Sequence, residues 1–342
     1  MKNTSICCKL LLTVLLLLTL TGCSENSVEK QIFAMDTVMS LTVYGEGKEE
    51  AATAAVQEIN AAARQLDPEI QDSEVYNLNH AGGESVTISP FLYNMLETAG
   101  EVYDHTGGAL DLSVYPVVTV WGFIDQNYTV PDAEALAEIL KLVDYSSVTY
   151  KESNGIYTAT VPDGMALNFG AVAKGATADL VIETLREHGA ESAFISLGGN
   201  VQTLGVKPDG TDWRVGVTDP TSSTENLGIV TVGEAAVVTS GSYQRCFEEN
   251  GTLYHHIIDP STGYPADNGL VSVTVICDTG VMADCLSTAL FVLGEEKALD
   301  YWRTYGDCEL ILVTEDDRVV VTTGLKDRFT ENSERYSYQY IE

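Results

Sequence analysis

The run VMADCLSTALFVLG, residues 281–294, is apolar nearly all round, which marks a buried helix, yet it carries Asp284. No Lys or Arg lies between Asp278 and Lys297 to pair with that carboxylate locally. An unpaired buried charge is prohibitively costly, so Asp284 requires a cation, a distant arginine, hydrogen-bond donors or a proton. Thr288 follows one helical turn later on the same face, and a carboxylate beside a hydroxyl is the oxygen pair that hard cations such as Mg²⁺ accept. The same spacing also fits a carboxylate that caps a neighbouring loop and a threonine bonded back into its own helix.

Three other stretches concentrate chemistry. In ALNFGAVAKGATADL, residues 166–180, Asn168 and Gly170 end a predicted strand and Lys174-Gly175 falls in the first turn of the next helix. Backbone N–H groups and one ammonium there favour an anion, although the phosphate-loop spacing is absent and a lysine near a helix start also fits plain solvation. In SLGGNV, Gly198-Gly199 permits a close backbone approach or simply a tight turn. In SGSYQRCFEENGTLYHHIIDP, an Asn250-Gly251 hairpin turn brings Arg245 and His256 onto adjoining strands, near Ser240, Tyr243, His255 and Asp259. These cations suit a phosphate; a strand histidine that is merely packed and hydrogen-bonded is the plainer alternative.

The need for local positive charge follows from composition. The chain carries a formal net charge of −32, which repels nucleic acid and anionic headgroups. Lys2 and Lys9, an apolar run over residues 10–20 and Leu20-Thr21-Gly22-Cys23 read as a lipoprotein signal, too short to span a bilayer. Residues 1–22 are therefore expected to be removed, Cys23 to carry lipid and residues 23–30 to form a tether. Residues 31–342 are expected to form a single domain, extracytoplasmic and anchored to the cell membrane. Cys246, Cys277, Cys285 and Cys308 show no paired spacing and read as buried thiols, with a Cys277–Cys285 bridge the alternative.

The positioning elements follow from periodicity. Met39, Leu41 and Val43 alternate as in a strand. Ala52, Val56, Ile59, Ala63 and Leu66 line one helical face that ends at Pro68, and Ser89-Pro90 opens a second helix that closes at Gly107-Gly108. Helices are predicted over residues 132–143, 172–188, 281–293 and 295–305, and strands over 166–169, 193–197, 213–217, 235–239 and 271–277. A final hairpin pairs 309–314 with 319–323. No sequence repeat is evident, and the element counts indicate an α+β or mixed α/β domain.

Taken together, the motifs FAMDTVMSLTVYG, GGALDLSVYPVVTVWGF, NFGAVAKGATAD, SLGGNV, TSGSYQRCFEENGTLYHHIIDPSTGYP and VMADCLSTALFVLG resemble, in order, those of the FAD:protein FMN transferase (ApbE) family. The resemblance implies a T-fold-like α+β domain with mixed or antiparallel sheets and packed helices. It implies a Mg²⁺-dependent enzyme that splits FAD and joins FMN to a threonine in a short flavinylation motif of an extracytoplasmic electron-transfer protein, releasing AMP. Carried over by matching residues, the flavin nucleotide falls to Met35, Ala109, Leu110, Asp111, Asn168, Lys174 and His256; Gly241 and Arg245 join them as nucleotide-binding candidates, and the catalytic candidates are Lys174, which with Arg245 adds positive charge at the pyrophosphate, and His256, which either orients FAD or relays the threonine proton. The metal falls to the main-chain oxygen of Ala171 and the side chains of Asp284 and Thr288. Asp36 stands where many members have glycine, Asn168 where many have aspartate, and Cys285 where alanine is usual. The resemblance carries over no adenine-contacting residue from the region of residues 67–79. A FAD pyrophosphatase using water, and a lipoprotein that binds flavin without turnover, are the competing readings.

Overall fold

The computed structural model describes residues 27–342 apart from Ser223; the signal segment and Cys23 lie outside the described residues. A nine-stranded sheet forms the backbone of the molecule. Its strands are β1 (Ser27–Ala34), β2 (Thr37–Tyr44), β3 (Ser192–Leu197), β4 (Asn200–Leu204), β5 (Ala236–Gly241), β6 (Leu270–Cys277), β7 (Glu309–Thr314), β8 (Arg318–Thr322) and β9 (Ser337–Ile341). They lie side by side in chain order, antiparallel throughout except for the parallel pair β8 and β9.

Between β2 and β3 come α1 (Lys48–Leu66), α2 (Glu74–Asn79), α3 (Pro90–Thr106), α4 (Tyr115–Val120), α5 (Ala133–Ile139) and α6 (Ala173–Glu187). Between β6 and β7 come α7 (Gly280–Leu293) and α8 (Glu295–Tyr305). Within the large sheet, two strands, helices, then two strands thus occur twice in succession, a recurring order with no visible sequence period. Smaller antiparallel sheets join 86–88 with 149–160, and 213–218 with 226–232 and 329–331.

Local chemistry explains the elements that hold the site. Met39, Leu41 and Val43 are almost wholly buried on one face of β2, as strand alternation requires. On α1 the buried face is Ala51, Ala52, Ala55, Ile59, Ala62 and Leu66, mostly alanine, which lets α6 approach closely; Val56 and Ala63, expected on that face, are half-buried at its edge. Ser89 Oγ accepts the Leu92 N–H at the start of α3, and Gly107, at φ 63°, ends it. Asp132 caps α5 through the N–H groups of Glu134 and Ala135. The apolar helix α7 is buried between α3, α6 and strands β5 and β6.

Three expectations change. Residues 166–169 join no sheet: the Asn79 side chain bonds the N–H and carbonyl of Leu167, and the Asn168 N–H donates to the Leu112 carbonyl. Side-chain and loop partners satisfy this backbone, so no ladder forms. The sheet begins at Ser27, within the stretch read as tether, because residues 27–34 pair along the whole of β2. The helix predicted over 132–143 stops at Ile139 and tightens into a 3₁₀ turn over Leu140–Leu142. The four described cysteines are free; Cys277, Cys285 and Cys308 are buried and burial raises their thiol pKa values.

Candidate active site

Helices α6 and α7 cross where neither can carry a side chain. A Cβ on Gly175 would stand 2.0 Å from the Gly280 carbonyl oxygen and 2.7 Å from Asp284 Cβ. That approach lets Asp284, only 3% exposed, accept the Gly175 N–H through Oδ2 at 2.9 Å. The bond places the carboxylate against the positive end of α6, one of the few surroundings in which a buried charge is tolerated. Oδ1 accepts no hydrogen bond among the described residues; the Lys174 ammonium lies 3.9 Å from it and 3.5 Å from the Gly170 carbonyl.

Thr288 does not bond back into its helix. Its hydroxyl faces Ser240 Oγ of β5 at 3.3 Å, while the neighbouring Ser287 bonds both Ser240 Oγ, at 2.8 Å, and the Asp284 carbonyl, at 3.0 Å. Asp284 Oδ1 and Thr288 Oγ1 are therefore neutral or anionic oxygens on one face of α7. Ala171 sits in the turn that leads into α6, next to Gly170, whose N–H is held by Asn168 Oδ1 at 2.6 Å. Such an all-oxygen donor set, with one carboxylate oxygen unbonded, fits Mg²⁺ in kind.

The hairpin 246–255 forms as its Asn-Gly turn dictates, with Asn250 at φ 53° and Gly251 at φ 81°. It sets Arg245 beside His256, whose N–H donates to the Arg245 carbonyl at 3.0 Å and whose Nδ1 lies 3.2 Å from that same oxygen. A carbonyl only accepts, so Nδ1 carries the proton and Nε2 keeps its lone pair. Burial, joined by the Arg245 and Lys174 charges, pushes the His256 pKa down to about 4, against the opposing hydrogen bond. His255 is buried, with Nε2 3.0 Å from the Ala266 carbonyl, and burial lowers its pKa as well.

Around this centre stand the remaining candidates. Met35 and Asp36 form the β1–β2 turn at φ 48° and 58°, and the exposed Asp36 carboxylate lies 3.9 Å from Arg245. Gly241 is buried, and a Cβ there would meet the Tyr243 ring at 2.5 Å. Ala109, Leu110 and Asp111 are buried in the main core. Both Asp111 oxygens face internal donors: Oδ1 accepts the Ser113 N–H and hydroxyl, and Oδ2 the Tyr145 N–H at 3.1 Å. Burial raises the Asp111 pKa, and those bonds oppose it. The structure thus brings Lys174, Asp284 and the 170–175 segment together, sets Thr288 one turn further along α7 against Ser240, pairs Arg245 with His256 and Asp36, with the Lys174 charge acting on His256, and keeps the Asp111 side chain on internal donors.

Sequence reasoning missed several supports. Trp121, fully buried, donates from Nε1 to the Gly263 carbonyl at 2.8 Å and so pins the 259–265 turn. Phe123 meets His256 edge to face, with centroids 6.4 Å apart. A cavity of about 640 Å³ opens beside the 166–168 segment, walled by Glu69, Tyr76, Asn79, His80, Tyr115 and Met165. Tyr76 and His80 stack there at 3.9 Å, an i, i+4 aromatic pair that could have been read from the sequence.

The fold and site define an α+β protein in which a helix N-terminus, a lysine ammonium and a buried carboxylate meet, groups suited in kind to an anionic ligand. The chain belongs to the ApbE family: the model described as "ApbE family" matches residues 35–312. It is 34% identical over 310 residues to the FAD:protein FMN transferase of Treponema pallidum, covering 85% of this chain and 86% of that one. To a FAD:protein FMN transferase of Klebsiella pneumoniae it is 36% identical over 261 residues, covering 76% and 80%. Among solved structures, the ApbE protein of Thermotoga maritima superposes with a TM-score of 0.81 at 29% identity, over 90% of this chain and all of that one. The apo form of the Pseudomonas stutzeri flavinyl transferase ApbE gives 0.79 at 26% identity, over 90% and 98%.

Proposed function

We propose that this transferase, an FAD:protein FMN transferase by its relatives, works with Mg²⁺ and attaches FMN to a threonine of an extracytoplasmic acceptor. The curated relatives carry that activity in their names. The observation that carries the reading here is the unbonded Oδ1 of buried Asp284, set beside Lys174 and the first turn of α6.

Asp284 Oδ1, Thr288 Oγ1 and the Ala171 carbonyl would hold Mg²⁺, which when bound neutralises pyrophosphate charge. Lys174 and the α6 N-terminus draw the same anion, and Arg245 adds charge at the rim. In a chain this acidic, those groups decide where a dinucleotide can lie. The cavity beside Asn79 is open and flanked by aromatic rings, and suits a planar base of FAD.

The threonine oxygen of the acceptor attacks the FMN phosphorus in line; the bond to the bridging pyrophosphate oxygen breaks and AMP leaves with that electron pair. His256 Nε2, unprotonated at neutral pH, takes the hydroxyl proton. Lipid at Cys23 would hold the enzyme at the outer face of the cell membrane, where such acceptors lie. Incubation with FAD, Mg²⁺ and a threonine-motif peptide tests the reading: it requires peptide-bound FMN and AMP in equal amounts. Free FMN and AMP, with unmodified peptide, would mark a pyrophosphatase instead.

A further inference from the structure

The site leaves one part-buried carboxylate unused. Asp179 lies one turn beyond Gly175 on α6, and both its oxygens reach across to α7. Oδ1 accepts the Gly280 N–H at 2.7 Å and the Gln202 amide at 2.7 Å, and Oδ2 accepts the Val281 N–H at 2.8 Å. Gly280 and Val281 are the first two residues of α7, and Thr279, which precedes them, supplies no side-chain cap. Two of the orphan donors of α7 are thus satisfied from α6. Asp284 returns the bond: Val172 supplies no cap to α6, and its third residue, Gly175, donates to Asp284. Each helix caps the other, on either side of the Gly175 and Gly280 contact.

That reciprocity has a geometric consequence. Asp284 stands one turn from Gly280 and Thr288 one turn further, so all three share a face of α7. Any rotation or slide of the first turn of α7 moves Asp284 and Thr288 together against Lys174 and the Gly170 carbonyl. We infer that Asp179 is a positioning residue for the reaction centre, holding the first turn of α7 onto α6 so that the Asp284 and Thr288 oxygens converge with the 170–174 segment. The inference rests on the function proposed above for the identity of the metal site.

Asp179→Asn turns one acceptor into a donor that faces the Gly280 or Val281 N–H, so one cap becomes a clash of donors. The double variant Asp179→Asn with Thr279→Asp restores a local cap to α7 without restoring the tie to α6, which separates helix stability from position. Mn²⁺ affinity, read by electron paramagnetic resonance without FAD, is the first measurement; the unfolding midpoint is the second. The expected result is Mn²⁺ binding weakened at least about 10-fold in both variants, as when a group that orients a metal ligand is lost, with the midpoint recovered in the double variant. Wild-type Mn²⁺ affinity in either folded variant, or no Mn²⁺ binding by the wild type, overturns the inference. Weakened Mn²⁺ binding in the variants of a protein that transfers no FMN would support it and contradict the function proposed above.

Discussion

The Nδ1 of His256 and the carbonyl oxygen of Arg245 lie 3.2 Å apart, and that contact fixes which imidazole nitrogen is free to accept a proton. With the pKa pushed down to about 4, chiefly by burial, the ring is neutral through the physiological range. The kcat/KM of FMN transfer should therefore stay level from neutral pH down to about pH 5 and fall as the pH approaches 4. A profile that breaks near the ordinary histidine value of about 6.5 would contradict this. His256→Gln should remove that limb and cost on the order of 100-fold or more in rate. Stability has a matching sign: the unfolded state binds the proton first, so this residue costs stability as pH falls from about 6.5 to 4.

Gly175→Ala should separate α6 from α7. Its methyl would meet a backbone carbonyl at 2.0 Å, which cannot swing aside as a flexible side chain would. A loss of about 1 to 3 kcal/mol is expected from such overpacking, read as a lower denaturant midpoint, with activity falling further than stability because Asp284 moves too. An unchanged midpoint would mean that the helices do not meet there.

Lys174→Met removes the ammonium 3.9 Å from Asp284 while keeping most of the side-chain volume. Transfer should fall on the order of 100-fold, the usual effect of deleting one preorganised charge at a reacting anion. Steady-state kinetics should show a raised KM for FAD with folding unaffected.

Asp36→Gly tests the rim. Glycine adopts the left-handed turn without strain, and the substitution frees Arg245 from an exposed contact at 3.9 Å. Exposed pairs are worth about 1 kcal/mol at most, so KM for FAD should fall only a few-fold while thermal stability holds or rises. A large loss of activity would place Asp36 in the chemistry.

Elements whose cause is local were legible in the sequence. The capping of α3 by Ser89, the alternation in β2 and the Asn250-Gly251 turn all follow from neighbours in the chain, and all stand as expected. Much of what failed depended on distant partners. Residues 166–169 have strand-like composition, but Asn79, far along the chain, takes their hydrogen bonds. Asp284 was legible as an anomaly, yet its partner Gly175 was not, because no period links positions so far apart. Asp179 passed unnoticed for the opposite reason: on a helix that begins AKGATAD it looks like a solvated acid, and only the α6–α7 crossing shows that it caps another helix. The order of the central sheet likewise depends on pairing, which one sequence does not display.

The central claim is that Asp284 serves Mg²⁺-dependent transfer of FMN from FAD to threonine. Its most direct test is mass spectrometry of a threonine-motif peptide after incubation with FAD and Mg²⁺, comparing the wild type with Asp284→Ala. The account predicts a threonine-linked FMN with the wild type, abolished by chelation, and a loss on the order of 100-fold or more with Asp284→Ala. Undiminished peptide flavinylation by Asp284→Ala in Mg²⁺ would contradict it.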